Sequence, residues 1–242
     1  MEILRAENIH KSFGEKQVLK GVSIVLHEGE IVSLLGVSGG GKTTLFNVLS
    51  GLYTPDSGSV TLRGEDVTGK PGKISYMLQK DLLLPYKKVI DNVSLPLVLG
   101  GMSRKEARAE ADKYFDTFGL SGTQHFYPAK LSGGMKQRAA LLRTYLSSNG
   151  AALLDEPFSA LDTITKSKIH EWYLDIMAKI NLSTVFITHD IDEAILLSDR
   201  IYILTAGKIA AEITVDAPKP RSKDFNLSPA FLAYKREITA LL

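Results

Sequence analysis

Two kinds of hydrophobic spacing alternate along this chain. Short β-type runs occupy Glu2–Asn8, Val18–Leu26 and Ile31–Leu35, with turn signals at Phe13-Gly14-Glu15 and Glu28-Gly29-Glu30. Ser59–Arg63 alternates apolar and polar residues between turn clusters at Thr54–Gly58 and Arg63–Asp66, and Lys73–Leu78 reads as a further strand stopping at Gln79. The spacing predicts antiparallel strands leading into Ile31–Leu35. Farther on, Ala151–Leu154 is an apolar run of the kind covered on both faces in a parallel sheet, and Thr184–Thr188 is another β-type run. Arg200–Leu204 and Lys208–Ile213 read as a hairpin around Ala206-Gly207.

Helical spacing predicts helices over Thr44–Leu49, Met135–Ser147, Lys166–Ile180 and Asp192–Leu197, with a short terminal helix from Pro229 after the linker-like Asp216–Arg221. Ser103 with Glu106 three residues later is a capping box; Ala107, Ala111, Tyr114, Phe115 and Phe118 then form an apolar face up to Gly119, a C-cap residue. Leu82–Pro85 and Val93–Leu99 are apolar and interrupted by prolines. The reading is one α/β domain over residues 1–242 with a helical insert at about 81–148. Strands that alternate with helices and end in polar clusters indicate an open parallel sheet with ligands at its C-terminal edge.

Composition narrows the function classes. The chain has 242 residues, 44% hydrophobic and 23% charged, as in ordinary globular proteins. A formal net charge of +2 gives no ground for a nucleic-acid partner, and none is expected. There are no cysteines, which excludes a disulfide framework and suits a reducing compartment. No apolar run reaches bilayer length, and the first residues are charged where a signal peptide is apolar. Any membrane connection is expected to go through a partner.

The chemistry begins after Leu35. Gly36-Val37-Ser38-Gly39-Gly40-Gly41-Lys42-Thr43 fits the phosphate-binding pattern G-x-x-x-x-G-K-[ST], in strand–loop–helix context and followed by Thr44. Glycines let backbone N–H groups curl inward, and the helix N-terminus adds positive potential, so the loop cradles a polyphosphate. Lys42 is placed to reach the β- and γ-phosphates and the Thr43 hydroxyl to ligate Mg²⁺. Asp155 and Glu156 close a buried strand; there, an Asp completes the metal shell and the next carboxylate orients a water. Leu131-Ser132-Gly133-Gly134 sets small residues at a second helix start, a second anion site. One nucleotide does not need two clamps on one face, so the second is expected to serve the ATP of another subunit.

These stretches, in this order, resemble the ATP-binding subunits of ABC transporters over nearly the whole chain. Gly36–Thr43 resembles Walker A, Ala151–Glu156 Walker B, Leu131–Gln137 the ABC signature, and Ser159-Ala160-Leu161-Asp162 the D-loop. Gln79 resembles the Q-loop glutamine, His189 the switch histidine and Phe13 the aromatic that stacks on adenine. The resemblance implies a P-loop NTPase (RecA-like) core with an N-terminal antiparallel β-subdomain and an inserted helical subdomain. It implies ATP and Mg²⁺ as cofactors, with Glu156, His189, Gln79 and Lys42 catalytic and Thr43, Gln79 and Asp155 at the metal. It also implies a head-to-tail homodimer, with Ser132, Gly133, Gly134 and Asp162 completing the nucleotide site across it. Gln79–Tyr86, Met135 and the Pro-Lys-Pro-Arg tail are similar to the nitrate, sulfonate, taurine and thiamine-precursor importers. That subgroup implies a permease at the cytoplasmic face of the membrane and, indirectly, an extracytoplasmic solute-binding protein. The rival readings are the ATPase of an exporter or lipoprotein-release system, and a phosphate-loop kinase or GTPase; no Asn-Lys-x-Asp motif supports the last.

Overall fold

A computed structural model describes every residue except 160–162, 220, 222 and 223, and leaves out the side chains of helix residues 163–168. Its β-type runs form two separate sheets. Strands β1 (Glu2–Phe13) and β2 (Lys16–His27) form an antiparallel hairpin, joined by β4 (Ser57–Leu62) and β5 (Glu65–Asp66) in the order β2-β1-β4-β5. β1 runs five residues beyond Asn8, because Lys11, Ser12 and Phe13 still pair with β2. Glu65–Asp66, expected as turn, adds two bridges to β4.

β3 (Ile31–Leu35) does not continue that hairpin. It is central to a second sheet, order β10-β9-β3-β8-β7-β6, with β6 (Ser75–Met77), β7 (Ala151–Asp155), β8 (Ser183–Thr188), β9 (Arg200–Thr205) and β10 (Lys208–Thr214). All neighbours are parallel except β9 and β10. Every residue of β3 and β8 is buried, Ser33, Ser183, Thr184 and Thr188 included, as befits strands covered on both faces. A core of β1 and β2 side chains with Val32, Leu34, Phe46 and Ile187 fills the space between the sheets. Arg200 staples them, donating to Glu30 and to the Val25 carbonyl, 2.8 Å away.

Helix α1 (Lys42–Leu49) follows the phosphate loop and starts two residues earlier than its apolar face suggests. α2 (Val89–Val93), α3 (Leu95–Leu99), α4 (Arg104–Asp112) and α5 (Gly133–Leu146) all fall between β6 and β7. Ser103 and Glu106 form the reciprocal capping bonds at the start of α4. Past Asp112 the chain continues as irregular turns that Gly119 closes at φ +63, with Leu120 N–H bonded to the Phe115 carbonyl and Gly119 N–H to Asp116. α6 is Thr163–Ile180, α7 is Ile191–Leu197, and the terminal α8 (Pro229–Leu241) is a full thirteen residues that bury Phe231 and Ile238 against α7 and β10.

Candidate functional site

The parallel sheet brings the ends of β3, β7 and β8 side by side, and each end carries a reactive stretch. Out of β3 the chain turns at Gly36, whose missing Cβ admits the Leu204 carbonyl oxygen of β9; a Cβ would lie 2.2 Å from it. Gly39 (φ +77) and Gly41 (φ +104) then take left-handed conformations that side chains resist, and Gly41 is the N-cap of α1. Gly40 N–H closes the loop on the Val37 carbonyl at 3.2 Å. A cavity of about 440 Å³ opens over this loop, lined by Ser38, Gly39, Gly41, Lys42, Thr43 and Thr44 below, Asp155, Glu156 and Ile187 beside, and Phe13, Lys16 and Val18 from the first sheet. Gly36, Val37 and Gly40 belong to the loop without lining the cavity.

Lys42 Nζ donates to the carbonyls of Gly36 (2.6 Å) and Val37 (3.0 Å), and burial pushes its pKa down against the opposing pull of Glu156 and Asp155. Asp155 is held above the usual carboxylate range, first by burial and also by the neighbouring Glu156 carboxylate, against the downward pull of the Tyr76 hydroxyl, which donates to its Oδ2 at 3.2 Å, and of Lys42. Tyr76 on β6 went unread in the sequence. Its signal is indirect: it lies three residues before Gln79, on the strand that becomes β7's neighbour.

Glu156 sits at φ +45, a strained conformation for a side-chain-bearing residue, fastened by its N–H to the Ile187 carbonyl at 3.0 Å. Its carboxylate is shared by two of the expected site residues: Gln79 Nε2 donates to Oε2 at 2.9 Å, and His189 Nδ1 lies 3.3 Å from Oε1. Ser159, first residue of the stretch likened to the D-loop, donates to the Glu156 carbonyl and accepts from Gln79 at 3.4 Å. A second cavity of about 710 Å³ lies on this side, lined by Gln79, Lys80, Asp81, Leu82, Gln137, Glu156, Ser159 and His189.

Phe13 is 47% exposed at the rim, edge-on to Tyr53 with ring centroids 5.6 Å apart. Ser132 caps α5, accepting from Met135 N–H at 3.3 Å, and with Gly133 is exposed; none of Ser132, Gly133 and Gly134 lines the cavity around Lys42. Asp162 lies outside the described residues. Leu82 and Tyr86 are exposed, and the turn that presents them is tied down by Asn92, which takes the Leu84 N–H at 2.6 Å and donates to the carbonyls of Leu84, Lys87 and Lys88. Asn92 is fully buried, and with polar Asp91 and Ser94 beside it nothing in the sequence singled it out.

Residues 19–159 match the family described as "ABC transporter". The chain is 39% identical to the formylaminopyrimidine import ATP-binding protein ThiZ of Halalkalibacterium halodurans, over 100% of this chain and 96% of that protein. It is 38% identical to the nitrate import ATP-binding protein NrtD of a Synechocystis species, over 95% and 89%. Among solved structures, the dimeric post-hydrolysis state of the ATP-binding cassette MJ0796, bound to ADP and Pi, superposes with a TM-score of 0.75 at 30% identity, covering 89% of this chain and 100% of that one.

Proposed function

The chain belongs to the ABC transporter family and is an ABC-type ATPase, and we propose that it is the ATP-hydrolysing subunit of an importer, working as a head-to-tail homodimer beneath a membrane permease. The observation that carries this reading is the convergence of Lys42, Asp155, Glu156, Gln79 and His189 at one sheet edge. ATP enters over the loop with its adenine against Phe13. Its phosphates meet the loop N–H groups and the N-terminus of α1, and Lys42 exchanges two backbone carbonyls for the β- and γ-phosphates.

Among the described residues no group of three or more His, Cys, Asp and Glu side chains is placed to hold a metal ion. Mg²⁺ bound with a nucleotide would take phosphate oxygens among its ligands. Asp155, half-buried and with its pKa raised, suits such a charge. Thr43, Asp155 and Gln79 would hold Mg²⁺, which neutralises phosphate charge. Glu156, fixed from both sides by Gln79 and His189, orients the attacking water and accepts its proton. His189, with a largely exposed side chain, faces the γ-phosphate.

Ser132, Gly133, Gly134 and Asp162 complete the site of the opposite protomer. The Ser132 oxygen accepts within its own helix, and its hydroxyl hydrogen is left to donate outward to a phosphate. Among the described residues no helix is long and apolar enough to cross a membrane, and the exposed Leu82 and Tyr86 supply the contact with the permease, at the cytoplasmic face. A solute-binding protein delivers the cargo on the other side. The formylaminopyrimidine and nitrate relatives carry different solutes, so solute choice rests with the partners. The test is dimerisation: Glu156→Gln should be monomeric alone, dimeric with Mg-ATP and not with ADP, and Ser132→Arg added to it should abolish the dimer. Light scattering after size exclusion decides it, and a double variant that still dimerises overturns the composite site.

A further inference from the structure

Arg143 lies in the last turn of α5, at the far end of the helix that Ser132–Gly134 begins. A cation there interacts favourably with the helix dipole, and its usual partners are the helix's own last carbonyls. Arg143 does something else. Its Nη2 donates to the Asp81 carbonyl at 2.6 Å and its Nη1 to the Leu82 carbonyl at 2.9 Å, both in the segment that follows Gln79. The guanidinium is half-buried, and burial pulls its pKa down. Desolvating a cation is costly, and the two bonds to loop carbonyls offset that cost only while the loop stays in this place.

The held segment is strained and connects two working parts. Leu82 stands at φ +45 and is 52% exposed; Asp81 takes the Leu83 N–H at 2.9 Å. Gln79, three residues back, holds Glu156. Asn92 fixes the other end of the same turn from α2, which itself packs on α5. The turn thus has two anchors, and one of them is the helix that carries the signature loop.

We propose that Arg143 is a positioning residue that fastens the segment after Gln79 to α5, so that the nucleotide-facing glutamine, the exposed Leu82–Tyr86 turn and the Ser132–Gly134 loop shift as one body. The idea rests on the nucleotide-site reading above, and its test separates the two. Amide hydrogen exchange is measured over residues 80–86 and 131–137, with and without Mg²⁺ and a non-hydrolysable ATP analogue. The wild type should slow in both segments. Without nucleotide, Arg143→Met should exchange about tenfold faster over 80–86, as expected for losing a hydrogen-bonded anchor. It should bind the analogue with unchanged affinity and keep the response at 131–137 while losing it at 80–86, and Arg143→Lys should restore part of the lost response. If Arg143→Met does not fold, Arg143→Gln, a neutral donor reaching one carbonyl, gives the same comparison. A variant that responds in both segments overturns the proposal, and so does one that loses both responses with its affinity, since Arg143 would then merely hold the fold. A wild-type chain that ignores the analogue in both segments overturns the nucleotide-site reading itself.

Discussion

Gly36→Ala perturbs the phosphate loop without touching any of its charges. A Cβ at this position falls 2.2 Å from the Leu204 carbonyl oxygen and 3.2 Å from its carbonyl carbon. An ordinary carbon–oxygen contact is about 3.3 Å, so loop and strand must part by roughly 1 Å. Neither side can yield as a side chain would: Leu204 is fully buried and its strand pairs with both β3 and β10. Overpacking of this kind costs about 1–3 kcal/mol. At about 2–4 °C per kcal/mol for a chain of this size, the unfolding midpoint should fall by roughly 2–12 °C. The same ångström misplaces the loop N–H groups relative to the phosphates, and an error of that size costs on the order of 10²-fold in turnover. Gly64→Ala is the control. Its φ is +82, and its Cβ meets nothing within 4 Å. It should therefore cost only the left-handed penalty, about 1–2 kcal/mol, and leave ATP turnover intact. Thermal unfolding and ATPase assays on both proteins decide the matter. A Gly36→Ala protein with wild-type midpoint and turnover, or a Gly64→Ala protein that loses turnover equally, would refute the reasoning.

Other expectations follow from the same site. Lys42→Ala should weaken Mg-ATP binding severely while sparing the fold, because its described bonds are to two loop carbonyls; unchanged calorimetric affinity would contradict the loop's role. Phe13→Ala should weaken ATP binding by about 1–3 kcal/mol and Phe13→Tyr should be near neutral; a lowered midpoint with unchanged affinity would make Phe13 a packing residue. Asp155→Asn should stabilise the nucleotide-free protein at neutral pH while abolishing hydrolysis. Burial raises the folded-state pKa of Asp155, so the native state binds more protons than the unfolded one, and stability falls as pH rises from the ordinary carboxylate value through the raised one. Asparagine removes that loss: urea midpoints should converge at about pH 3.5, below the usual Asp pKa, and separate above it. A variant less stable than wild type at pH 8 would rule this out.

Local chemistry was legible in the chain because it is written in contiguous residues. Glycines before Lys42-Thr43, the carboxylates after Ala151–Leu154 and the Ser103–Glu106 capping box each act within a few residues of themselves, so spacing alone identifies them. The unbroken apolar run Ala151–Leu154 of β7 likewise announced a strand buried on both faces. What sequence could not settle depends on partners far along the chain. Only strand pairing sends β3 away from the β1–β2 hairpin into a second sheet, because parallel register with β8 and β9 is made by residues 153 and 168 positions on. The Gly36 turn owes its tightness to the Leu204 carbonyl. Glu156 adopts its left-handed backbone because β8 supplies the Ile187 carbonyl, and it meets Gln79 and His189 because three strand ends are brought level. Tyr76, Asn92 and Arg143 are invisible as motifs for the same reason. Each acts on a carboxylate or carbonyl that tertiary packing alone brings within hydrogen-bond reach.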